Sequence, residues 1–300
     1  MIRLERLTKS YGPHRVLDEV SFNVPAGSIT ILAGADAAGK STLLKMIVGL
    51  VKKDGGRVFL RGRDVSDDLA RVTAVTGYMP ERFSLYTDLS VEENLNFFAE
   101  IHEVSRTRRE ALKMKLLEKT GMLSFRKRRA GALSGGMKQK LALSAILLAS
   151  PEFILLDEPT TGVDPLSRIE FFNIIQELRS EGRTVLMATP YLAEAEKGDF
   201  VVFLRQGRVL KSDSIKGLKK SFPARVFRLE PRLPVFEALK SLPDEDGLRQ
   251  NVYIQGGTLR CLEPPGRDFR RLIPHTKAEE ESPTLEDIYI YYERSAERPA

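Results

Sequence analysis

The hydrophobic and polar positions of the chain change their period along its length. Near the N-terminus they alternate, in IRLERL, VLDEVSFNV and SITILAG, which predicts strands of a β subdomain that leads into a core sheet. Further strands are predicted from apolar runs at residues 28–33, 153–156 and 184–189. Helices are predicted from amphipathic stretches at residues 43–51, 137–148 and 166–179. This order of elements indicates an α/β fold.

A glycine-rich loop follows the first of these apolar runs. Its sequence, GADAAGKST, fits G-x-x-x-x-G-K-[ST], and strand, loop and helix come in the order that this phosphate-binding motif needs. Backbone N–H groups and a helix N-terminus then converge on one point and favour phosphate oxygens. We expect Lys40 to reach the β- and γ-phosphates and Ser41 to ligate Mg²⁺; the alternative is a chance glycine-rich turn. The nucleotide-binding residues are predicted to be Gly34, Ala35, Asp36, Ala37, Ala38, Gly39, Lys40, Ser41 and Thr42.

Two carboxylates end the apolar run of FILLDEP. Ligands of open α/β sheets bind beyond the carboxyl ends of the strands, so Asp157 and Glu158 are expected to meet the phosphate loop there. Asp157 is predicted to hold Mg²⁺ through water, and Glu158 to polarise an attacking water as a general base. The alternative is a pair of capping or turn carboxylates.

A second helix N-terminus lies in LSGGMKQK. Ser134, Gly135 and Gly136 open the amphipathic run 137–148, which creates another anion site. A single chain of this size has one nucleotide to present to its own phosphate loop. We therefore infer that this second site serves a partner.

The chain resembles the ATPase subunit of an ABC transporter over about residues 1–215. The resemblance is carried by the phosphate loop, the LSGGMKQK signature and the acidic end of the strand in FILLDEP. The resemblance implies a P-loop NTPase fold of ABC type, in which a mixed sheet core carries an N-terminal β subdomain and an inserted helical subdomain at about 81–150. It also implies ATP and Mg²⁺ as cofactors. Two further segments, GYMPERFSLYTDLSVEENL and PTLEDIYI, resemble the corresponding segments of ATPase subunits of drug and polysaccharide exporters.

The same resemblance implies a head-to-tail dimer. The signature of one subunit closes over the ATP held by the phosphate loop of a second ATPase subunit, and hydrolysis reopens the pair. This cycle powers membrane-spanning permease subunits. By the same resemblance Tyr11, in KSYG, stacks on adenine, and Asp164, in TGVDP, lies in the loop that crosses the dimer interface. From the residues alone Tyr11 is a strand-end tyrosine and Asp164 a turn former.

Several positions depart from the pattern of the family. Pro190, in LMATPYLAEAE, stands where these ATPases carry a histidine that contacts the γ-phosphate, and His14, His102 and His275 lie far from it in the sequence. Loss of one preorganised donor typically slows turnover by about 10² to 10³. Glu81 replaces a glutamine that ligates Mg²⁺; it can still ligate the metal, but it cannot donate when ionised.

Within the phosphate loop, Ala35, Asp36 and Ala37 replace Pro, Asn and Gly. Ala37 tolerates fewer backbone conformations than glycine, and Asp36 brings a carboxylate toward phosphate. We therefore expect ATP binding with weakened hydrolysis. Two assemblies fit this expectation: an unequal heterodimer with an intact partner ATPase, or a slow symmetric homodimer. Glu158, retained, argues against a complete loss of hydrolysis.

Length, composition and charge indicate the number of domains and the cellular compartment of the protein. The 300 residues allow about two domains, and the apolar runs stay well below the roughly 20 residues of a membrane span. The charged N-terminus lacks the apolar core of a signal peptide, and the single cysteine, Cys261, fits a reducing compartment. These features predict a cytoplasmic protein, and the resemblance places it on the inner face of the membrane.

The net charge of +6 raises the question of nucleic acid. Basic runs at 106–109 and 125–129 fall in the expected helical subdomain, and no aromatic stacking pattern accompanies them. We therefore predict no nucleic-acid partner; an anionic leaflet suits these runs better.

Residues 216–300 are predicted to form a small α+β domain, because prolines punctuate short strands and helices there. The predicted strands are 225–229, 251–255 and 258–262, and the predicted helices are 235–242, 268–273 and 285–293. Two other functions stay open for the whole chain. One is a nucleotide-binding regulatory subunit without turnover, and the other is a soluble ABC ATPase without a transport role.

Overall fold

The chain folds into two compact units, Met1–Ser212 and Asp213–Ala300. The computed structural model describes residues 1–243, 245, 247–272 and 276–297. Within these ranges, no helix combines the length and apolar character that crossing a membrane requires.

The first unit contains two sheets. Its strands are β1 (Ile2–Tyr11), β2 (His14–Val24), β3 (Ile29–Ala33), β4 (Gly55–Leu60), β5 (Arg63–Asp64), β6 (Thr76–Met79), β7 (Phe153–Asp157), β8 (Thr184–Thr189), β9 (Phe200–Arg205) and β10 (Arg208–Ser214). A four-stranded antiparallel sheet has the order β2-β1-β4-β5, and a six-stranded sheet has the order β10-β9-β3-β8-β7-β6. The predicted β subdomain and core sheet are thereby confirmed.

The six-stranded sheet brings the important strand ends to one edge. Strands β3, β7 and β8 are completely buried and run parallel, as expected for continuous apolar runs. Ala33 pairs with Thr189 and Asp157 pairs with Ala188, so the ends of β3 and β7 flank the end of β8. Ligands of parallel sheets bind at such an edge.

Seven helices complete the described part of the first unit. They are α1 (Lys40–Ile47), α2 (Leu69–Val75), α3 (Val91–Ile101), α4 (Arg106–Lys119), α5 (Gly135–Leu147), α6 (Pro165–Ser180) and α7 (Leu192–Ala195). Helices α3, α4 and α5 lie between β6 and β7, in the segment predicted to be helical.

Two helix boundaries show how local sequence sets the ends. The helix predicted at 43–51 begins earlier, at Lys40, and ends at Ile47, because Gly49 adopts a φ of 76° and turns the chain. Helix α6 begins after Asp164, whose carboxylate accepts a hydrogen bond from the N–H of Ser167 at 3.0 Å. Pro165 occupies its first turn, where no N–H is needed.

The second unit is an α+β domain with one antiparallel sheet. Its strands are β11 (Arg225–Glu230), β12 (Val252–Gln255), β13 (Thr258–Glu263) and β14 (Lys277–Glu281), in the order β12-β13-β11-β14, and its helices are α8 (Ile215–Lys220), α9 (Val235–Ser241) and α10 (Leu285–Glu297). Phe227, Leu229 and Cys261 belong to one apolar cluster, and Val226 and Leu262 to another, since alternate residues of a strand face opposite sides.

One prediction for this unit needs correction, and one strand was not predicted. The predicted helix 268–273 is a 3₁₀ turn at Phe269–Leu272, and Ile273 and His275 lie outside the described residues. Strand β14 was not predicted, because its sequence KAEEE is too acidic to read as a strand. Its charge is matched across the sheet, where Arg228 donates to Glu279 at 2.9 Å.

Candidate nucleotide site

The phosphate loop turns sharply between β3 and α1. A Cβ at Gly34 would collide with the carbonyl oxygen of Leu204, and one at Gly39 would lie 2.8 Å from Leu17 Cδ2. Gly39 also has a φ of 104°, which side chains rarely tolerate. Both glycines of the motif are therefore required by the backbone path that this loop follows.

Lys40 is held at the centre of the loop. Its side chain is 3% exposed, and Nζ donates to the carbonyl oxygens of Gly34 at 2.9 Å and Ala35 at 3.0 Å. Nζ also lies 3.1 Å from Glu158 Oε1. The buried ammonium of Lys40 thus connects the phosphate loop to Glu158, the acid that follows β7. This arrangement is expected of a lysine that binds phosphate oxygens.

Ser41 and Asp157 also meet across the loop. Ser41 Oγ donates to Asp157 Oδ1 at 2.8 Å, and the Tyr78 hydroxyl donates to Asp157 Oδ2 at 3.0 Å. Burial raises the pKa of Asp157, while these two donors act in the opposite direction. Burial, followed by the negative charge of Asp157 and then that of Glu81, also raises the pKa of Tyr78. The phenol therefore stays protonated and remains a donor.

Glu158 sits at a strained turn directly after the strand. Its φ is 49°, which is uncommon for a residue other than glycine. Its N–H donates to Ala188 O at 3.0 Å, and Thr161 Oγ1 lies 3.4 Å from its Oε2. These contacts direct the carboxylate back toward Lys40 and the phosphate loop, where a general base is useful.

A cleft of about 250 Å³ opens at this point. It is lined by Val16, Ala37, Gly39, Lys40, Ser41, Thr42 and Glu158. Of the other predicted loop residues, Gly34 and Ala38 are buried, whereas Ala35 and Asp36 are exposed. Tyr11 ends β1 with 49% of its surface exposed, and Lys9 Nζ lies over its ring at 5.2 Å from the centroid.

Three of the five positions that depart from the family pattern, Ala37, Glu81 and Pro190, have different surroundings. Ala37 has a φ of 61°, so the chain adopts the left-handed conformation there although the side chain disfavours it. Glu81 is exposed, and its charge is felt at Tyr78. Pro190 is half-buried directly after β8 and has no polar side-chain atom to offer.

The signature residues form the N-terminus of α5, as predicted. Ser134 Oγ accepts from the N–H of Met137 at 3.4 Å. Gly136 is buried against Ser167, and a Cβ there would collide with that side chain. Ser134 and Gly135 are exposed. None of the three belongs to the residues that line the cleft at the phosphate loop, so the structure does not bring the two predicted anion sites into one cleft.

Asp164 lies in the exposed loop between β7 and α6. The hydrogen bonds from Ser167 hold the pKa of Asp164 below its usual range, as expected for a helix-capping carboxylate. The simple interpretation of this residue as a local turn or cap former accounts for its contacts within one chain.

The residues of this cleft are suited to bind Mg²⁺ and a nucleoside triphosphate. Mg²⁺ prefers one or two protein oxygens together with water and phosphate oxygens, and Ser41 and Asp157 offer a hydroxyl and a carboxylate 2.8 Å apart. The glycine-lined loop and the buried ammonium of Lys40 suit a polyphosphate.

Two contributors to this site were missed in the sequence. Tyr78 lies on β6 beside β7, in register with Leu155, and reaches Asp157 from there. The available signal was its position near the end of a strand, two residues before Pro80 and three before Glu81. Val16, on β2, lines the cleft but carries no chemical signature that a sequence pattern could reveal.

Comparisons with known proteins agree with this geometry. The family model described as ABC transporter matches residues 17–161. The protein named "Probable multidrug ABC transporter ATP-binding protein YbhF" of Escherichia coli is 39% identical over 277 residues, which are 89% of this chain and 47% of that protein. The chain thus spans about half the length of this relative.

Other relatives match along nearly their full length. The lantibiotic transport ATP-binding protein SrtF of Streptococcus pyogenes is 35% identical over 72% of this chain and 92% of its own length. The uncharacterized ABC transporter ATP-binding protein YxlF of Bacillus subtilis is 30% identical over 97% of this chain and 98% of its own.

Solved structures show the same cassette. An ATP-binding subunit of an ABC transporter superposes with a TM-score of 0.66 and 29% identity over 74% of this chain and 93% of that one. A dimeric ATP-binding cassette in a post-hydrolysis state, bound to ADP and Pi, superposes with a TM-score of 0.65 and 25% identity over 72% of this chain and 99% of that one. The chain therefore belongs to the family of ABC transporter ATP-binding proteins.

Proposed function

We propose that this chain binds Mg-ATP at the phosphate loop and hydrolyses it to drive a membrane exporter. The observation that carries the proposal is the convergence of Lys40, Glu158, Ser41 and Asp157 at one edge of the core sheet. A buried ammonium, a hydroxyl–carboxylate pair and a second carboxylate are the groups that phosphoryl transfer to water requires.

Each residue has a distinct task in this proposal. Backbone N–H groups of the phosphate loop and Lys40 bind the β- and γ-phosphates, and Tyr11 stacks on the adenine. Ser41, Asp157 and Glu81 would hold Mg²⁺, which supplies charge neutralisation when bound. Glu158, released from Lys40 by the phosphates, orients the attacking water and accepts its proton.

A second ATPase subunit is part of this proposal. Ser134 and Gly135 are exposed at the N-terminus of α5 and lie outside the lining of the chain's own cleft, so they are available to the nucleotide of another subunit. Asp164 is exposed in the loop between β7 and α6, where it can cross the same interface. The pair is head-to-tail and works with membrane-spanning permease subunits at the inner face of the membrane.

Pro190 favours slow hydrolysis in this chain's own site, because it offers no donor at the end of β8. We propose that binding survives while turnover is weak, and that an unequal partner ATPase can use this chain's signature. A regulatory subunit without turnover is the second candidate. Pro190 favours it, whereas the position of Glu158 beside Lys40 of the phosphate loop favours a working general base.

The proposal is tested by ATP-induced assembly. Purified Glu158→Gln, which should bind ATP without consuming it, is passed over a sizing column with light scattering, with and without Mg-ATP. A shift from monomer to dimer with ATP, lost when Ser134→Arg is added, supports the head-to-tail pair. A chain that binds ATP but stays monomeric contradicts the homodimer and directs the search to a different ATPase subunit. A chain that binds no ATP overturns the proposed function.

A further inference from the structure

A buried carboxylate lies near the site and has no task in the hydrolysis described above. Glu194, on α7, is 6% exposed, and both of its carboxylate oxygens accept hydrogen bonds from threonine hydroxyls. Thr160 Oγ1 donates to Oε1 at 2.7 Å, and Thr189 Oγ1 donates to Oε2 at 2.6 Å. Both threonines are buried, at 1% and 0% exposure. Both carboxylate oxygens of this buried side chain are hydrogen-bonded. Such a side chain holds its partner residues, and the segments that carry them, in fixed positions.

The two threonines belong to different segments of the site. Thr160 follows β7, two residues after Glu158 and four before Asp164. Thr189 ends β8, directly before Pro190. Glu194 therefore joins the segment that carries the proposed base and the proposed interface loop to the segment that carries the missing histidine position.

A second connection runs parallel to the first. Arg168, on α6, donates from Nε to Val163 O at 2.8 Å and stacks on the ring of Tyr191 at 4.7 Å. Its Nη1 lies 3.9 Å from Glu194 Oε1. The N–H of Tyr191 donates to Thr189 Oγ1 at 3.1 Å, which leaves the hydroxyl proton of Thr189 for Glu194. The contacts form a closed ring around the buried carboxylate.

We propose that Glu194 is a positioning residue that locks the segment after β7 and the segment after β8 into one arrangement, so that Glu158 is held facing the γ-phosphate position. This inference rests on the proposed ATPase function for its catalytic consequence, but not for the lock itself. Glu194 thereby adds to the contacts of Glu158 with Ala188, Thr161 and Lys40.

Chemistry distinguishes this role from simple filling of space. Glu194→Ala removes both acceptors and leaves two buried hydroxyl protons without an acceptor, which is costly. Glu194→Gln keeps the shape and one carbonyl acceptor, and its amide can donate to the other threonine, so it should largely restore the lock. Thr160→Val deletes one of the two hydrogen bonds to Glu194 with little change in volume. Thr189→Val deletes the other, together with the hydrogen bond that Thr189 Oγ1 accepts from the N–H of Tyr191.

The test uses the full chain with two readouts. The first is hydrogen exchange, without nucleotide, in peptides that cover residues 157–165 and 188–195. The second is kcat for Mg-ATP together with the Kd for ATP, at a temperature where every variant is folded. Glu177→Ala, which removes an exposed carboxylate of α6 that pairs with Lys119, is the control for charge loss in the same unit.

We expect Glu194→Ala to speed exchange at least 10-fold in both peptides together and to lower kcat at least 10-fold, with the Kd for ATP changed less than 3-fold. Glu194→Gln should stay within about 3-fold of wild type in all readouts. Thr160→Val should add little to Glu194→Ala, since the two changes break the same contact. If Glu194→Ala does not fold, the two valine variants carry the test.

Opposite results overturn the inference. Faster exchange in only one of the two peptides, or none, means that Glu194 does not lock the segments together. Loss of kcat and of ATP affinity in equal measure, not rescued by Glu194→Gln, means a general structural role. A wild-type chain that neither binds nor hydrolyses ATP contradicts the proposed function instead, and the exchange readout still decides whether the lock exists.

Discussion

Lys40 Nζ and Glu158 Oε1 form an ion pair at 3.1 Å, so the lysine of the phosphate loop and the proposed base hold each other. Phosphate oxygens and this carboxylate compete for the same buried ammonium. ATP binding therefore has to separate the pair, and the separation frees Glu158 for water.

Substitutions at this pair should change ATP affinity in opposite directions. Glu158→Gln removes the competing charge, and we expect the Kd for ATP to fall several-fold, whereas Lys40→Ala should raise it at least 10-fold. Isothermal titration calorimetry with Mg-ATP measures both. Lys52→Ala, at an exposed lysine after α1, serves as the control. Weaker ATP binding by Glu158→Gln would show that the ion pair does not compete with phosphate.

Ala37 should be a point of stored strain in the phosphate loop. Its φ of 61° costs an alanine about 1 to 2 kcal/mol, and glycine avoids this cost while losing roughly 0.4 to 1 kcal/mol through unfolded-state entropy. Ala37→Gly is thus expected to stabilise the protein by up to about 1.6 kcal/mol, the difference between these two ranges. Ala35→Gly, at a position without a left-handed φ, should destabilise it. Urea unfolding measures the free energy of unfolding of both variants. Equal changes of this free energy in the two variants would show that Ala37 is not strained.

Tyr78 should tune the Mg²⁺ requirement through Asp157. The phenol donates to the carboxylate oxygen opposite the one that Ser41 contacts, so it orients a proposed metal ligand. Removal of such a partner typically weakens metal affinity by about 10- to 100-fold. We expect Tyr78→Phe to raise the Mg²⁺ concentration for half-maximal turnover by about that factor, with Tyr86→Phe, at an exposed ring, as the control. An unchanged Mg²⁺ dependence rules out this role.

We expect Pro190 to slow ATP turnover in this chain's own site. Pro190→His restores a donor at the end of β8, and we expect kcat to rise by about 10-fold or more while the Kd for ATP stays the same. Pro190→Ala separates the two properties of the residue, since it removes the ring constraint but adds no donor. Equal acceleration of the alanine and the histidine variants would show that the missing donor does not limit turnover.

The parts of the site that sequence could predict are local. The phosphate loop, the acidic strand end and the helix start at Ser134 each depend on a few adjacent residues, and the structure contains these elements where they were expected. Contacts between distant residues were not predictable in this way. Tyr78 and Asp157 are 79 residues apart, and Thr160 and Glu194 are 34 apart, so no short pattern links them.

The same reasoning explains the errors in the fold. Lys40 and Ser41 read as polar loop residues, but the first turn of α1 includes them because the phosphate loop buries the lysine. Strand β14 is nearly all charged, and its place in the sheet is favoured by Arg228 on the adjacent strand β11 and by Arg260 on β13, one strand further on. In both cases tertiary contacts outweigh the local preference.

The central claim is that this chain hydrolyses ATP through Glu158. Its most direct test is steady-state turnover of Mg-ATP by the purified wild-type chain and by Glu158→Gln, with ATP binding measured on the same samples. We predict slow but measurable turnover in the wild type and none in Glu158→Gln, although both bind ATP. Equal turnover in the two proteins, or a wild-type chain that binds ATP and never turns it over, would contradict the claim.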